Sequence, residues 1–225
     1  MERIRRNIPL ERKIVWAIRK AAVDDISRIM RDFPLDTHNF LGHYRGDAVN
    51  TNLRLMDPPK GVRILPFHRC GYSGRVVMDQ RNRITYSVTT QENLRAVSRE
   101  KHRNNPHFLQ TFLGVENRSY EADCKQMTLM PMESFDEETL RKDYAALMEG
   151  ILSPGEGYVH YIVAYDPVAG GSPDIQMYFL DRDFDEIDAV SLNEYMEDDT
   201  RRRTASVRAQ DRAERIAGAA VPALT

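Results

Sequence analysis

The chain has 225 residues and a mass of 26.0 kDa, with 41% hydrophobic and 29% charged residues. This length allows one large or two small domains with a sizeable core, and no run approaches the roughly 18 apolar residues that span a bilayer. No apolar segment follows the basic start of the chain, as a secretory signal would require, and two cysteines cannot form a disulfide scaffold. The composition predicts a soluble, cytoplasmic protein without a membrane partner.

The formal net charge of −2 hides a marked asymmetry along the chain. Residues 60–120 carry a net charge of +7 and residues 121–199 a net charge of −16. Nine of the eleven basic residues in 60–120 are arginines, which suit bidentate contacts with phosphate. Two interpretations are open: the basic middle faces a polyanion, or the two halves neutralise each other across one folded surface.

The first half of the chain predicts helices followed by strands. Apolar residues recur every three or four positions up to Pro34, which ends the first helical pattern. Beyond the break at Pro58 the apolar residues become partly β-branched, and 80–83 is typical of a hairpin turn. The predicted elements, in chain order, are helices over 10–33 and 47–56 and strands over 62–68, 75–79 and 84–89.

The second half mixes helices and strands. Thr89 and Glu92 form a capping-box pattern at the start of one predicted helix, and Ser134 and Glu137 form another. Proline and glycine fill the connection between the last two predicted strands. The predicted elements are helices over 89–103, 107–115, 134–151 and 192–197 and strands over 126–132, 158–165 and 175–180.

These elements predict an α+β fold. The six strands do not alternate regularly with helices, so the pattern favours a mixed, largely antiparallel sheet packed with helices. We predict a helical N-terminal extension over 1–57 and a core domain over 58–199. The segment 200–225 is predicted to be a flexible basic tail, because it has little apolar surface to bury.

Two histidines are candidates for general acid–base catalysis, the chemistry that histidine supplies near neutral pH. No Walker A, dinucleotide-binding, zincin or hydrolase motif accompanies them. His107 follows Pro106 at a predicted helix start beside a basic run, an arrangement that suits a metal-free ribonuclease. His160 lies on one face of a predicted strand. The alternatives are structural: a helix cap for His107 and a buried core histidine for His160.

Aspartates surround the last predicted hairpin. A metal-dependent nuclease needs two or three carboxylates that converge on Mg²⁺, and Asp166, Asp174 and Asp181 are the candidates for such a site. No cofactor other than Mg²⁺ is indicated, and the lysine that would activate water is replaced by Asp183. The alternative is that aspartate forms turns at hairpin ends.

Nucleic acid, DNA or RNA, is the leading hypothesis for a partner. Tyr72, Tyr86 and Phe108 lie within the basic stretch and are candidates for stacking on bases. The alternative is a protein-binding regulatory or antitoxin-like module that acts through the acidic segment 181–199. The predicted nucleic-acid-binding residues are Arg63, Arg69, Arg75, Arg81, Arg83, Arg95, Arg99, Lys101 and Arg103.

Several short motifs resemble landmarks of a family of unknown function found in bacterial and mobile-element genomes. The resemblance covers roughly residues 20–180 and carries no known activity. It implies a bacterial cytoplasmic protein of a phage-defence, toxin–antitoxin or regulatory system, with nuclease activity as a further hypothesis. The motifs are Asn50-Thr51-Asn52-Leu53, Ile84-Thr85-Tyr86, Pro106-His107-Phe108-Leu109 and Asn117.

Overall fold

The computed structural model describes residues 4–34, 36–37, 39–69, 71–99, 104–123, 135–167 and 172–196. At its centre lies a six-stranded sheet whose spatial order follows the order along the chain. The predicted strand 126–132 and the predicted tail 200–225 lie outside the described residues. The strands are β1 (Val62–Arg69), β2 (Tyr72–Asp79), β3 (Ile84–Thr90), β4 (Val159–Asp166), β5 (Asp174–Leu180) and β6 (Glu186–Ser191).

One parallel pair interrupts an otherwise antiparallel sheet. β3 and β4 are parallel, whereas the other four neighbouring pairs are antiparallel. A parallel pair needs a long crossover, and this one contains α4 (Gln91–Arg99), α5 (Phe108–Glu116) and α6 (Glu137–Leu147). The prediction of an α+β fold with a mixed, largely antiparallel sheet is confirmed.

The N-terminal region is helical, as the pattern up to Pro34 predicts. Its elements are α1 (Ile8–Arg19), a π-helical segment (Lys20–Asp25), α2 (Ile26–Asp32) and α3 (Leu41–Leu55). Buried residues of α1 and α3 pack on one face of the sheet, whereas α2 has no buried residue. The buried Asn52 of α3 holds the π-helical segment, because its amide donates to the Asp25 carboxylate at 2.9 Å and to the Ala17 carbonyl at 3.3 Å. α3 begins six residues before the predicted start, since glycines weaken the helical pattern there.

Each face of the sheet carries its own apolar core. On the first face, Leu10 and Ile14 of α1 and Leu53 of α3 pack in one buried cluster with side chains of β1 to β5. Ile187 and Val190 of β6 are partly buried against the same cluster. On the second face, Phe112 of α5 and Tyr144 of α6 belong to another buried cluster. Alternation along each strand divides the side chains between these two cores.

The structure differs from the prediction at Thr89 and at β6, for identifiable reasons. Thr89 does not cap a helix, because the parallel ladder with β4 keeps the chain extended as far as Thr90. The Thr90 hydroxyl instead accepts from the backbone N–H of Asn93 at 3.1 Å, so the predicted capping box is wrong. β6 was not predicted, because acidic residues are uncommon in strands, and its membership of the sheet depends on pairing with β5.

Among the described residues, no helix combines the length and the apolar character needed to cross a bilayer.

Candidate functional site

A cleft of about 340 Å³ lies at the edge of the sheet where β3 and β4 end. Because the two strands are parallel, their carboxyl ends meet there, which is the usual position of ligands in open sheets flanked by helices. α3 bounds the cleft on one side, and Asn93 of α4 and Phe108 of α5 bound it on the other. We call this space the carboxyl-edge cleft.

His107 lines the carboxyl-edge cleft as the N-cap of α5. Its Nδ1 accepts from the backbone N–H of Leu109 at 3.2 Å, and its own backbone N–H donates to the Gln110 side chain at 2.7 Å. Since a neutral imidazole with an accepting Nδ1 carries its hydrogen on Nε2, His107 has no basic nitrogen to offer without losing the cap. This geometry does not suit general base catalysis.

Tyr72 supplies an exposed aromatic ring at the cleft. It is 46% exposed, and its ring lies nearly parallel to that of Phe108, with 5.7 Å between centroids and 12° between planes. Of the three predicted stacking residues, Tyr72 is the one that can meet a base. Tyr86 is fully buried in the first core and Phe108 is buried beneath Tyr72, so the prediction for those two is wrong.

Arg45 is a neighbour of the cleft that the sequence analysis missed. It is three residues after Gly42 and four before Val49, which line the cleft, although Arg45 itself is not among the lining residues. The Arg45 Nε is buried and has no hydrogen-bond partner in the described chain. Burial raises the pKa of the cleft residue Tyr165 to about 12, and the nearby Arg45 charge opposes that rise. Sequence offered no signal, because Arg45 stands in an ordinary helical pattern.

His160 lies inside the second core rather than in the cleft. Its ring is fully buried and stacks on Phe112, with 4.7 Å between centroids. Its Nδ1 is 2.8 Å from the Thr85 hydroxyl and its Nε2 is 2.9 Å from the Ser87 hydroxyl. Burial lowers the pKa of His160 to about 3, so the ring is neutral at physiological pH. With both nitrogens engaged, it cannot reach a substrate from this position.

Glu116 completes the polar cluster around His160. Its carboxylate contacts the Thr85 hydroxyl and accepts from the Tyr144 hydroxyl at 2.6 Å. Burial raises the pKa of Glu116 to about 7, and the two hydrogen bonds partly offset that rise. Glu116 and Tyr144 also line a smaller cavity of about 220 Å³, which gives this side of the cluster a route to water. We call Thr85, Ser87, Glu116, Tyr144 and His160 the buried polar cluster.

Asn117, one of the residues behind the family resemblance, is a structural tie. Its side-chain oxygen accepts from the His160 backbone N–H at 2.8 Å. Its side-chain nitrogen donates to the carbonyls of His160 at 2.8 Å and Leu180 at 2.7 Å. The fully buried amide therefore joins the end of α5 to the start of β4 and the end of β5.

The three aspartates proposed as metal ligands do not converge. Asp166 and Asp174 are opposite each other in the β4–β5 register, but Asp181 follows the far end of β5, about 20 Å away at the rise of an extended strand. The buried Asp181 carboxylate accepts three backbone N–H groups, from Ala122, Asp183 and Asp185, and so caps a turn. Within the described ranges, no three His, Cys, Asp or Glu side chains are placed to hold a metal ion.

The predicted basic residues are spread over both ends of the sheet. Arg95 and Arg99 are exposed on α4, which begins at the cleft, whereas Arg63, Arg81 and Arg83 lie near the β2–β3 turn at the opposite end. Lys101 and Arg103 fall outside the described residues. On β2, Arg75 is half-buried and faces Pro66 across the β1–β2 ladder. The structure therefore does not gather these residues into a single patch.

Charge neutralisation between the basic and acidic halves is limited in the described chain. Of the seven described arginines on the predicted list, Arg69 is the one that forms an ion pair, with Asp143. Arg83 donates instead to the Glu156 carbonyl at 3.4 Å. Arg118, which is outside that list, pairs with Glu137 of the acidic half. Glu137 and Glu138 also pair within α6, with Arg141 and Lys142. Most of the positive charge of residues 60–99 thus remains uncompensated by nearby carboxylates.

The acidic segment 181–199 is partly used inside the fold. Asp181 caps its turn, and Asp188 accepts from the backbone N–H of Ile4 at 2.9 Å. Both carboxylates are therefore committed to internal hydrogen bonds. Residues 197–199 lie outside the described residues.

The sequence matches the family of unknown function (DUF5986) over residues 4–219, and the chain therefore belongs to that family. No curated protein and no solved structure gives a significant match.

Proposed function

We propose that this member of a family of unknown function binds single-stranded nucleic acid across the carboxyl-edge cleft. The observation that carries the proposal is the exposed Tyr72 ring at the rim of the cleft. Proteins that bind single strands combine aromatic platforms for the bases with cationic side chains for the phosphates. Tyr72 supplies the platform, and the arginines of α4 supply uncompensated positive charge.

The cleft favours single strands because of its size and its aromatic rim. A base must be unstacked to lie on Tyr72, which single strands allow at low cost. The cavity of about 340 Å³ has no room for a helical duplex. The described arginines do not form a continuous basic stripe. Stacking of a base at the cleft should therefore contribute more to the binding free energy than phosphate contacts along the strand.

Binding without strand cleavage is the expected behaviour. His107 is held as a donor by its role as helix cap, and the three candidate aspartates are far apart. A role in bacterial defence, toxin–antitoxin control or regulation stays a prediction from the family resemblance. The alternative, a protein partner at the acidic segment 181–199, is weaker because Asp181 and Asp188 are used internally.

Fluorescence anisotropy with labelled 20-nucleotide DNA and RNA tests the proposal, at 50 to 200 mM salt and with either Mg²⁺ or EDTA. We expect affinity to fall with salt, with a slope of about −0.7 per neutralised phosphate. Arg95→Ala combined with Arg99→Ala should weaken binding and flatten that slope by about 1.4. Tyr72→Leu should weaken binding about tenfold, because one stacked base contributes about 1–3 kcal/mol.

Arg63→Ala combined with Arg81→Ala is the matched comparison. It removes the same charge from exposed arginines at the far end of the sheet and should have a clearly smaller effect. Equal effects of the two double variants would contradict a site centred on the cleft. Absence of binding at 50 mM salt would overturn the proposal. Strands cut in the presence of Mg²⁺ would point to carboxylates outside the described residues.

A further inference from the structure

A cavity of about 580 Å³, larger than the carboxyl-edge cleft, lies between α1 and the end of α3. Ile8, Arg12 and Trp16 line it from α1, where their spacing of four residues places them along one side of the helix. Leu55 and Met56 line it from the end of α3. The volume lies within the range of about 300–1,000 Å³ for small-molecule sites. We call this space the α1–α3 cavity, and none of its described lining residues belongs to the carboxyl-edge cleft.

The apolar side chains of the α1–α3 cavity are only partly covered by the fold. Trp16 is half-buried and packs against the first core, whereas Ile8 is 48% exposed and Leu55 is 61% exposed. Two of the five large hydrophobic side chains that are exposed in the described chain therefore line one cavity. Scattered exposed apolar residues are ordinary, but several of them around a concave surface indicate a binding site.

Charged side chains of the same cavity select the kind of ligand. Arg12, Lys13 and Asp57 all line it, so two cations and one carboxylate give the lining a formal charge of +1. The Lys13 ammonium group has no ion-pair or hydrogen-bond partner among the described residues. The Arg12 guanidinium lies 5.4 Å from the centroid of the Tyr195 ring, a cation–π contact that orients it. One negative charge on an apolar body complements this lining.

We infer that the α1–α3 cavity binds a small amphipathic carboxylate, with its single negative charge at Lys13 and Arg12 and its apolar body on Trp16. A dianion would exceed the positive charge of the lining, and a cation would be repelled by two of its three charged groups. The inference goes beyond the proposed function and does not depend on it.

The fluorescence of Trp16, the one tryptophan in the sequence, reports on the cavity directly. We would titrate the full chain with decanoate, 1-decanol and decyltrimethylammonium, which share an alkyl chain and differ in the charge of the head group. Decanoate should bind at least about tenfold more tightly than either of the others, because only its head group forms a charge-assisted contact with Lys13. Its alkyl chain should shift the Trp16 emission to shorter wavelength, since it displaces water from a half-buried ring.

Lys13→Met tests the contact with the carboxylate. The variant should bind decanoate about tenfold more weakly and should bind decanol as the wild type does. Lys142→Met is the matched control, because it removes an exposed lysine from α6, which packs on the second core. It should change neither affinity.

Ile8→Asp and Ile8→Asn form a second pair that does not depend on Lys13. Ile8 is half-exposed and begins α1, where a carboxylate is favoured by the helix dipole, so both variants should fold. The two differ by one negative charge at the wall of the cavity. Ile8→Asp should therefore bind decanoate more weakly than Ile8→Asn does, whereas their affinities for decanol should be equal.

Three outcomes would overturn the inference. They are equal affinities of the wild type for decanoate and decanol, wild-type affinity for decanoate in Lys13→Met, and heat of binding by isothermal titration without a change in Trp16 emission. The last would place the ligand elsewhere on the protein. Failure of the proposed function is recognised separately, because it is measured with 20-nucleotide strands, whose binding should be unchanged in Ile8→Asn.

Discussion

The two histidines that the sequence singled out lie at opposite ends of one parallel strand pair and have opposite surroundings. His107 lies at the carboxyl end, where it caps α5 and lines an open cleft. His160 lies near the start of β4, where two hydroxyl groups and the Phe112 ring enclose it. The same scaffold thus builds an open cleft at one end and a buried polar cluster at the other.

The two ends of the β3–β4 pair show how functional polar groups can be distinguished from structural ones. In the buried polar cluster each side chain has a partner within the fold, so its polarity is already satisfied. At the carboxyl-edge cleft Tyr72 is 46% exposed, and on the neighbouring helix α3 the buried Arg45 Nε has no hydrogen-bond partner in the described chain. Unsatisfied groups around a cavity indicate a ligand, whereas satisfied groups indicate stability.

The largest expected effect comes from a substitution at the end of the sheet that holds the buried polar cluster. Asn117→Ala removes three buried hydrogen bonds and leaves main-chain groups of β4 and β5 without partners, so we expect a loss of about 3–4 kcal/mol in the free energy of unfolding. The matched change at the open end is Asn93→Ala, which removes a bond to Thr89 and should cost about 1 kcal/mol. Urea denaturation measures both, and equal losses would contradict the contrast between the ends.

Glu116→Gln tests the protonation of the buried polar cluster. Burial raises the pKa of Glu116 to about 7 from an ordinary value near 4.5. The protonated form of Glu116 therefore stabilises the folded protein fully below about pH 4.5. The free energy of unfolding then falls by about 3 kcal/mol as the pH rises through 7. The variant lacks this loss and should gain stability relative to the wild type over that range. Stability curves that stay parallel from pH 4.5 to 8 would contradict the assignment.

His160 contributes the opposite trend in the same cluster. Burial lowers the pKa of His160 to about 3, so the stability linked to its neutral form is complete above about pH 6.5 and is lost as the pH falls toward 3. In the wild type the two groups offset each other between about pH 4.5 and 6.5. In Glu116→Gln the His160 trend stands alone, so stability should rise with pH across this window.

His107→Ala sharpens the comparison at the open end. The change removes the side-chain cap of α5 and should lower the free energy of unfolding by about 1 kcal/mol. Because the cap is partly exposed, this cost should be far below that of Asn117→Ala. His43→Ala, an exposed histidine on α3, is the control and should be nearly neutral. A loss above about 3 kcal/mol would show that His107 is a core residue.

The smallest expected effect is a gain. Gly46→Ala replaces a mid-helix glycine with the best helix former, into open space, and should raise the free energy of unfolding by about 0.5–1 kcal/mol. Gly74→Ala is the contrasting change, because its Cβ atom would lie 2.4 Å from the Phe67 ring and should destabilise the protein. A loss of stability in Gly46→Ala would mean that the wall of the cleft is tighter than the structure shows.

Much of the fold could be predicted because apolar periodicity reports local structure. The pattern up to Pro34, the turn over 80–83 and the last hairpin all depend on neighbouring residues, and all are confirmed. The carboxyl end of β3 was less predictable. Thr89 fits a helix cap by sequence, but pairing with β4, whose partner residues lie some 75 positions away, keeps it extended. Strand β6 likewise depends on β5 rather than on its own composition.

The candidate site was predictable only in its individual parts. Tyr72 and His107 were identified because aromatic and imidazole groups are chemically distinctive wherever they occur. Arg45 was missed, because its interest depends on a buried Nε that has no hydrogen-bond partner in the described chain, which no sequence pattern shows. Tyr86 and Phe108 were misjudged for the same reason, since sequence does not report which aromatic ring remains exposed.

The sequence by itself determined the fold class, the order of most elements and the uneven distribution of charge, because these depend on composition and short-range periodicity. The tertiary structure alone decided which histidine is enclosed, which aspartates stay apart and which arginines remain without carboxylate partners. The enclosure of His160 depends on the crossover that makes β3 and β4 parallel. It brings residues that are far apart in the chain to a common edge of the sheet. Short-range sequence patterns do not report which distant residues become neighbours.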